Sequence, residues 1–484
     1  MARAGETFYW HDYETTGIDL DRDRPLQFAG LRTDLELNPV DAPLVLYCRP
    51  AGDLLPDPDA CLVTGLTPQQ VAERGVPEAE FVDRVHAELA RPGTCALGYN
   101  TLRFDDEVTR RALYRNLLDP YAREWRDGNS RWDLIDLVRT VHALRPEGFE
   151  WPRRDDGTPS FRLEELTAAN GIEHGAAHDA LSDVHATVAL ARRLRGQKRR
   201  LWDYLFELRR KQAVRRLIDL RGMTPLVHVS GRYPAARGCL AVVAPVAGHP
   251  ENPNAVIVFD LAADPEALAG LDGEAIAERV FSPGDALPEG RERIPLKQVR
   301  INRCPVLAPL SVLRPEDARR LCIDLEAIAR HHARLLREPG LAERVAAAFA
   351  PPGGTPPEDP DDQLYAGPFL GDDDRRRLAE VRGRPPGRWH EPLPPFDDPR
   401  LPEMVFRYRA RNWPEALDAE DREAWRAFRR TRLTDREASR GRTLDDYFAR
   451  IDALRRERRG DVDAERLLAA LESWGRGLEA DLAQ

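Results

Sequence analysis

From Thr7 to Glu14 the chain reads Thr-Phe-Tyr-Trp-His-Asp-Tyr-Glu, and this octapeptide limits the fold more than any other segment. Aromatic residues at this density favour a β-strand. A strand sends alternate side chains to opposite faces, so Asp12 and Glu14 share one face. The flanking Phe8, Tyr9, Trp10 and Tyr13 call for burial. Two carboxylates on one buried face repel each other and are costly to bury unless a cation lies between them. Hard oxygen donors of this kind suit Mg²⁺ or Mn²⁺. Read alone, Asp-x-Glu is equally a pair of exposed acids at a sheet edge.

The chain has 484 residues, and one hydrophobic core rarely grows beyond about 250–300 residues, so several domains are expected. Strand-like runs follow at Gln27–Thr33 and Leu44–Cys48, and Gly65–Leu89 reads as mostly helical. Cys95–Asn100 reads as a buried strand feeding a helix over Phe104–Asn116. Helical spacing of apolar residues predicts helices at Trp132–Leu144, Phe161–Asn170 and Asp179–Arg195, the second stopped by Gly171. Strands first and helices afterwards predict an α/β domain over residues 1–197. The texture then changes. Short β-rich segments at Leu226–Val229, Leu240–Val246, Ala255–Phe259 and Gln298–Ile301, parted by Gly, Pro and Asn, predict a small β-rich domain within 198–350, with helices from Pro315 to Ala350. A Pro/Gly/acid stretch, 351–362, reads as a linker. Residues 363–484, dense in Arg, Glu, Ala and Leu, read as an all-α domain.

Composition excludes several classes. No apolar run approaches the ~18 residues of a membrane-spanning helix, and Met1-Ala-Arg-Ala-Gly-Glu6 lacks the apolar stretch of a secretory leader. A cytoplasmic location is expected, with no membrane partner. The six cysteines, Cys48, Cys61, Cys95, Cys239, Cys304 and Cys322, form no C-x-x-C, so neither a zinc ribbon nor a redox dithiol is indicated. Net charge is −10, yet Lys198 to Arg237 holds eleven Lys/Arg against three acids. Such a cationic stripe is a solvated helix face or a footprint for a phosphate backbone.

Two further segments carry chemistry. In Gly98-Tyr-Asn-Thr-Leu-Arg-Phe-Asp-Asp-Glu107 a strand ends and a helix begins with Asp105 in its first turn. Alone, that acid is a helix-dipole partner. In His178-Asp-Ala-Leu-Ser-Asp183 a histidine precedes an acid on a helix with an apolar opposite face. Each signal is weak singly. In order, D-x-E, N-x-x-x-F-D and H-x-x-x-x-D follow the DEDDh exonuclease pattern. Its chemistry uses two divalent ions roughly 3.5–4 Å apart on either side of the scissile phosphate. Asp12, Glu14, Asp105 and Asp183 are then the metal carboxylates, and His178, which titrates near neutrality, the general base. A zinc site on His174, His178 and His185 lacks Cys partners and an H-E-x-x-H pattern.

The likeness extends beyond the motifs. The segments His11-Asp-Tyr-Glu-Thr15, Gly98-Tyr-Asn100, Arg103-Phe-Asp-Asp-Glu-Val-Thr-Arg110, Ser130-Arg-Trp-Asp-Leu134, Leu144-Arg-Pro-Glu-Gly148, Pro159-Ser-Phe-Arg-Leu-Glu164 and Ala177-His-Asp-Ala180 closely resemble the bacterial exodeoxyribonuclease I family. So do Pro225-Leu-Val-His-Val-Ser-Gly231, His249-Pro-Glu-Asn252, Asn302-Arg-Cys-Pro-Val306, Leu313-Arg-Pro-Glu-Asp317, Gln363-Leu-Tyr365 and Arg407-Tyr-Arg-Ala-Arg-Asn412. The resemblance implies a ribonuclease H-like exonuclease domain (1–197), an SH3-like β-rich domain (198–350) and, after the linker, an all-α C-terminal domain (363–484), together a C-shaped clamp. It implies 3′→5′ hydrolysis of single-stranded DNA from a free 3′ end, releasing 5′-mononucleotides in repair and recombination, with two Mg²⁺ ions for which Mn²⁺ can substitute. Glu14 and Arg162 would bind the terminal nucleotide. Arg110, Tyr121, Trp125, Arg139, Lys211, Asn254, Lys297 and Tyr365 would line the DNA groove, each aromatic having core packing as its plain alternative. The resemblance also implies a monomer that binds the acidic C-terminal tail of single-stranded-DNA-binding protein.

Two other readings remain at this level. One is another DEDDh enzyme, RNA-trimming or proofreading, although such chains are typically short and single-domain. The other is an inactive single-strand-binding protein, which loss of a carboxylate would mark; none is missing.

Overall fold

The computed structural model describes residues 5–175, 179–283, 287–288, 291–350, 357–389, 391–439 and 442–483. The chain divides into two compact units, one of residues 1–129, 175–185 and 355–484, the other of residues 130–174 and 186–354.

The first unit is built on β1 (Thr7–Thr15), β2 (Pro25–Thr33), β3 (Leu44–Tyr47) and β4 (Thr94–Leu97), in the order β3-β2-β1-β4. β1 runs antiparallel to β2, with Asp12 opposite Ala29 and Glu14 opposite Gln27, and parallel to β4, with Trp10 opposite Leu97. All nine residues of β2 are buried, as expected of a strand covered on both faces. Odd-numbered Tyr9 and Tyr13 join Phe28, Phe81, Val85 and Val108 in one core cluster. Even-numbered Asp12 and Glu14 therefore turn to the opposite face.

Helices α1 (Pro58–Thr64), α2 (Pro68–Arg74) and α3 (Glu78–Leu89) follow β3. The run expected to be mostly helical is two helices parted at 75–77, and α2 starts at Pro68 behind a Thr67–Gln70 capping box. Pro is accepted there because the first turn of a helix has no partner for its N–H. α4 (Asp105–Arg115) follows β4.

The helices of the C-terminal segment pack in this same unit. Leu55 and Cys61 share a core with Tyr447, Ile451, Leu468 and Leu471. Buried Asp53 accepts two hydrogen bonds from Arg24, at 2.8 and 2.9 Å, and two more from Arg411, at 2.9 and 3.0 Å. Of the stretch read as a linker, 351–356 lie outside the described residues. Its remainder is anchored: buried Asp361 pairs with Arg411 at 2.6 Å and with Arg407 at 3.0 Å.

The second unit contains β5 (Ser130–Arg131), α5 (Leu134–Leu144) and α6 (Leu163–Ala169). Its antiparallel sheet comprises β6 (Leu226–Val229), β7 (Leu240–Gly248), β8 (Ala255–Asp260), β9 (Leu296–Arg300) and β10 (Val306–Pro309), in the order β10-β6-β7-β8-β9. The sequence reading missed β10 and a helix at Gly273–Phe281, which Asp272 caps through the Ala275 N–H at 2.9 Å. α7 (Ala180–Gln197) contributes its first turn to the first unit. Among the described residues no helix is long and apolar enough to cross a membrane.

Candidate active site

Carboxylate oxygens of Asp12, Glu14 and Asp183 all lie within 4.8 Å of one another. Asp12 and Glu14 come from one face of β1, and Asp183 from the first turn of α7. Asp105 opens α4 as a buried residue. Its Oδ1 accepts the Tyr13 N–H at 3.0 Å, which ties the helix to the central strand. The Thr109 hydroxyl donates to the Asp105 carbonyl at 2.7 Å and lies 3.1 Å from the Tyr13 hydroxyl.

The loop before α4 explains its own sequence. A Cβ on Gly98 would stand 2.5 Å from the His11 carbonyl oxygen and 2.4 Å from Thr101 Cγ2, so only glycine lets β4 leave the sheet here. Asn100 takes a left-handed backbone, φ +67°, which asparagine tolerates better than most residues.

The electrostatics show what the cluster favours. Burial, then the charges of Asp105, Asp183 and Asp179, push the Asp12 carboxyl well above its ordinary range. Burial, then Asp12, Asp183 and Asp179, push Glu14 up to about 9. Acids arranged this way stay protonated or take a cation, and oxygen-only donors fit a hard divalent ion. Behind Asp105, buried Asp106 pairs with buried Arg123 at 2.7 Å. Burial lowers the neighbouring His11 to about 4, which keeps that imidazole neutral.

Two residues to which the sequence reading assigns no role at the site hold the start of α7. Asp179 accepts the Ser182 N–H at 3.1 Å, and Gln27 of β2 donates to Asp179 Oδ2 at 3.3 Å. Gln27 Oε1 also accepts the Ala180 N–H at 3.5 Å. The Asp-before-helix signal was present in the sequence; the β2 partner was not. His178 lies outside the described residues.

The remaining expected residues fall into both units. In the first, Arg110, Tyr121 and Tyr365 come together. Arg110 is only 4% exposed and spends its guanidinium on Glu124 at 2.6 Å, Glu107 at 2.7 Å and the Tyr365 hydroxyl at 3.1 Å. It is expected to line the DNA groove, and the structure makes it an internal support for Tyr365, whose hydroxyl also donates to Glu107. Tyr121 packs edge-on to Phe369, with centroids 5.9 Å apart, while Trp125 is 64% exposed. In the second unit, Arg162 is 67% exposed in its side chain and lies 3.4 Å from Glu165. Arg139 pairs with Asp136 at 2.8 Å, Lys211 is exposed at the start of a short helix, and Asn254 accepts the Ile301 N–H at 2.8 Å. Lys297 sits between His228 and Tyr233.

Comparison with known proteins agrees with this geometry. Residues 9–191 match the family model for exonucleases, residues 209–351 the exonuclease I SH3-like domain, and residues 358–478 the exonuclease I C-terminal domain. The chain is 46% identical over 471 residues to exodeoxyribonuclease I of Escherichia coli K12, covering 96% of each chain. It is 43% identical over 429 residues to exodeoxyribonuclease I of Haemophilus influenzae, covering 88% of this chain and 90% of the relative. Among solved structures, exonuclease I from Methylocaldum szegediense superposes with a TM-score of 0.93 at 51% identity, covering 98% of this chain and 99% of the other. The zinc-ion-bound E. coli exonuclease I–single-stranded DNA complex gives 0.93 at 45%, with the same coverage. A complex of SSB and exonuclease I with the inhibitor CFAM gives 0.90 at 45%, again with 98% and 99% covered. From the carboxylate strand to the last helices, this chain belongs to the exodeoxyribonuclease I family.

Proposed function

We propose that this chain is a cytoplasmic, monomeric exodeoxyribonuclease that degrades single-stranded DNA from a free 3′ end and releases 5′-mononucleotides, in the service of DNA repair and recombination. The observation that carries the reading is the meeting of Asp12, Glu14 and Asp183 oxygens within 4.8 Å on a chain related along nearly its whole length to exodeoxyribonuclease I.

Asp12, Glu14 and Asp183, with Asp105 beside them, are the residues that would hold two Mg²⁺ ions, or Mn²⁺ in their place. The raised carboxyl groups of Asp12 and Glu14 support that fit. When bound, such ions stabilise charge on the scissile phosphate and acidify the attacking water. His178 accepts the water's proton at an imidazole nitrogen. Arg162 forks an oxyanion of the terminal nucleotide, and Glu14 also faces that nucleotide. Tyr121, Trp125 and Tyr365, the last braced by Arg110, stack bases, while Arg139, Lys211, Asn254 and Lys297 follow the backbone. We read the chain as 1–197, 198–350 and 363–484 around a 351–362 connection, and the order of the three family matches supports this.

The partner is the acidic C-terminal tail of single-stranded-DNA-binding protein. What supports a site for it is a cavity of about 670 Å³ in the second unit, whose apolar wall includes Leu144, Leu201 and Val306 and whose rim includes Arg145, Lys198 and Arg200. Apolar side chains at a tail's end need such a floor, and its acids need such a rim.

Digestion of 3′-labelled and 5′-labelled single strands, beside a blunt duplex and a matched RNA, tests the function. Mononucleotide release from the 3′ end of unpaired DNA is expected, stopped by EDTA and restored by Mg²⁺. Preference for RNA or for duplex ends would overturn it.

A further inference from the structure

Lys297 is one of only three lysines in the chain, and its ammonium is held from two sides. Nζ lies 3.0 Å from Nε2 of His228 and 4.3 Å from the centroid of the Tyr233 ring. The His228 and Tyr233 rings meet edge-on, 5.5 Å apart at 89°, so the three side chains form one contact group.

His228 is 4% exposed on β6, and its Nδ1 lies 2.8 Å from the Val306 carbonyl on β10. A carbonyl only accepts, which assigns the hydrogen to Nδ1 and leaves the lone pair on Nε2. That tautomer is the state in which the ring accepts from an ammonium. β9, which carries Lys297, stands three places from β6 in the sheet, so the pair ties distant strands of one sheet together.

An imidazole nitrogen and a ring face both orient an ammonium. A lysine stem fixed beforehand also loses less rotamer freedom when it meets a phosphate.

We propose that His228 and Tyr233 are positioning residues for single-strand binding, fixing the Lys297 ammonium at one point on the phosphate path. This rests on the reading of Lys297 as a strand contact.

The test is the salt dependence of binding to a fluorescein-labelled oligothymidylate, followed by anisotropy in EDTA with the full chain. Lys297→Met is expected to lower the log–log salt slope by about 0.7, the increment of one single-strand phosphate. His228→Phe is expected to lose the same increment and to add nothing when combined with Lys297→Met. His228→Gln is expected to keep the parental slope, because its amide donates to Val306 and accepts from Lys297. In Mg²⁺, KM for DNA rises in His228→Phe while kcat holds. If His228→Phe keeps the parental slope while Lys297→Met loses it, the positioning role is overturned and the strand contact stands. If Lys297→Met itself changes nothing, the strand contact fails and the proposal with it. Should His228→Phe not fold, Tyr233→Leu carries the test, and a parental slope there overturns the proposal.

Discussion

The main-chain N–H of Tyr13 donates to Oδ1 of Asp105 at 3.0 Å, joining the strand that carries Asp12 and Glu14 to the helix that carries the fourth acid. Asp105 therefore has a structural duty besides any duty to a cation. Asp105→Ala leaves a buried N–H without its acceptor, a loss of about 1–3 kcal/mol. Asp105→Asn keeps an acceptor oxygen. Both are expected to lose cleavage, but only the alanine variant should also melt markedly lower; calorimetry beside an oligonucleotide digestion separates the two.

Glu14 and Asp12 give a pH prediction with a definite sign. Glu14 is raised from 4.5 to about 9, so without metal the folded state holds a proton that the unfolded chain has released. Stability contributed by this group is present below about pH 4.5 and is lost as pH rises toward 9. In EDTA the melting temperature should fall across that window. Mg²⁺, which needs the ionised forms, should raise it more at about pH 8 than at about pH 6. Glu14→Gln should melt higher than the parent in EDTA at alkaline pH, by about 2–4 °C per kcal/mol relieved, and gain less from Mg²⁺.

His178→Ala is expected to slow turnover about 10²-fold or more with little change in DNA affinity. The acid limb of the rate profile, set by a base that must be unprotonated, should disappear with the imidazole. Single-turnover rates measured against pH check both points.

Gly98→Ala should be costly out of proportion to one methyl group. Its Cβ would press on the His11 carbonyl at 2.5 Å, a backbone atom that moves only with β1. A loss of about 1–3 kcal/mol is expected, and the displaced loop should reduce cleavage as well. Urea unfolding and steady-state assays read the two effects.

Arg411→Ala removes one of two cations facing buried Asp53, whose carboxyl those arginines hold well below its usual range against the opposing effect of burial. Breaking a buried ion pair from one side costs about 3–5 kcal/mol. Denaturant midpoints should shift accordingly, and Arg411→Met should not rescue them.

Much of this was legible in the sequence. The aromatic octapeptide became β1 because its composition and period agree, and Leu226–Val229 kept its read boundaries. Strand period alone puts Asp12 and Glu14 on one face, whereas Asp105 and Asp183 join them in the sequence reading only through the ordered DEDDh pattern. What escaped was tertiary. Gln27 gives no sign in β2 that it will hold Asp179, and Arg110 reads as a groove residue because nothing local announces Glu124 as its partner. Asp359 and Asp361 sit in a stretch whose Pro and Gly content implies slack, yet distant arginines anchor them. The helix at Gly273–Phe281 was lost among β-rich neighbours, although Asp272 marks its start.

The pairing of Asp53 with Arg411, 358 positions apart, has a consequence for biosynthesis. The ribosome delivers strands β1 to β4 long before it delivers the residues that complete the compact unit they belong to. Until Arg411 emerges, Asp53 has Arg24 alone, and Leu55 and Cys61 wait for the apolar faces of the last helices. A nascent chain arrested before Arg411 thus carries every motif acid while Asp53 still lacks one of its two arginine partners and the core around Leu55 is unfinished.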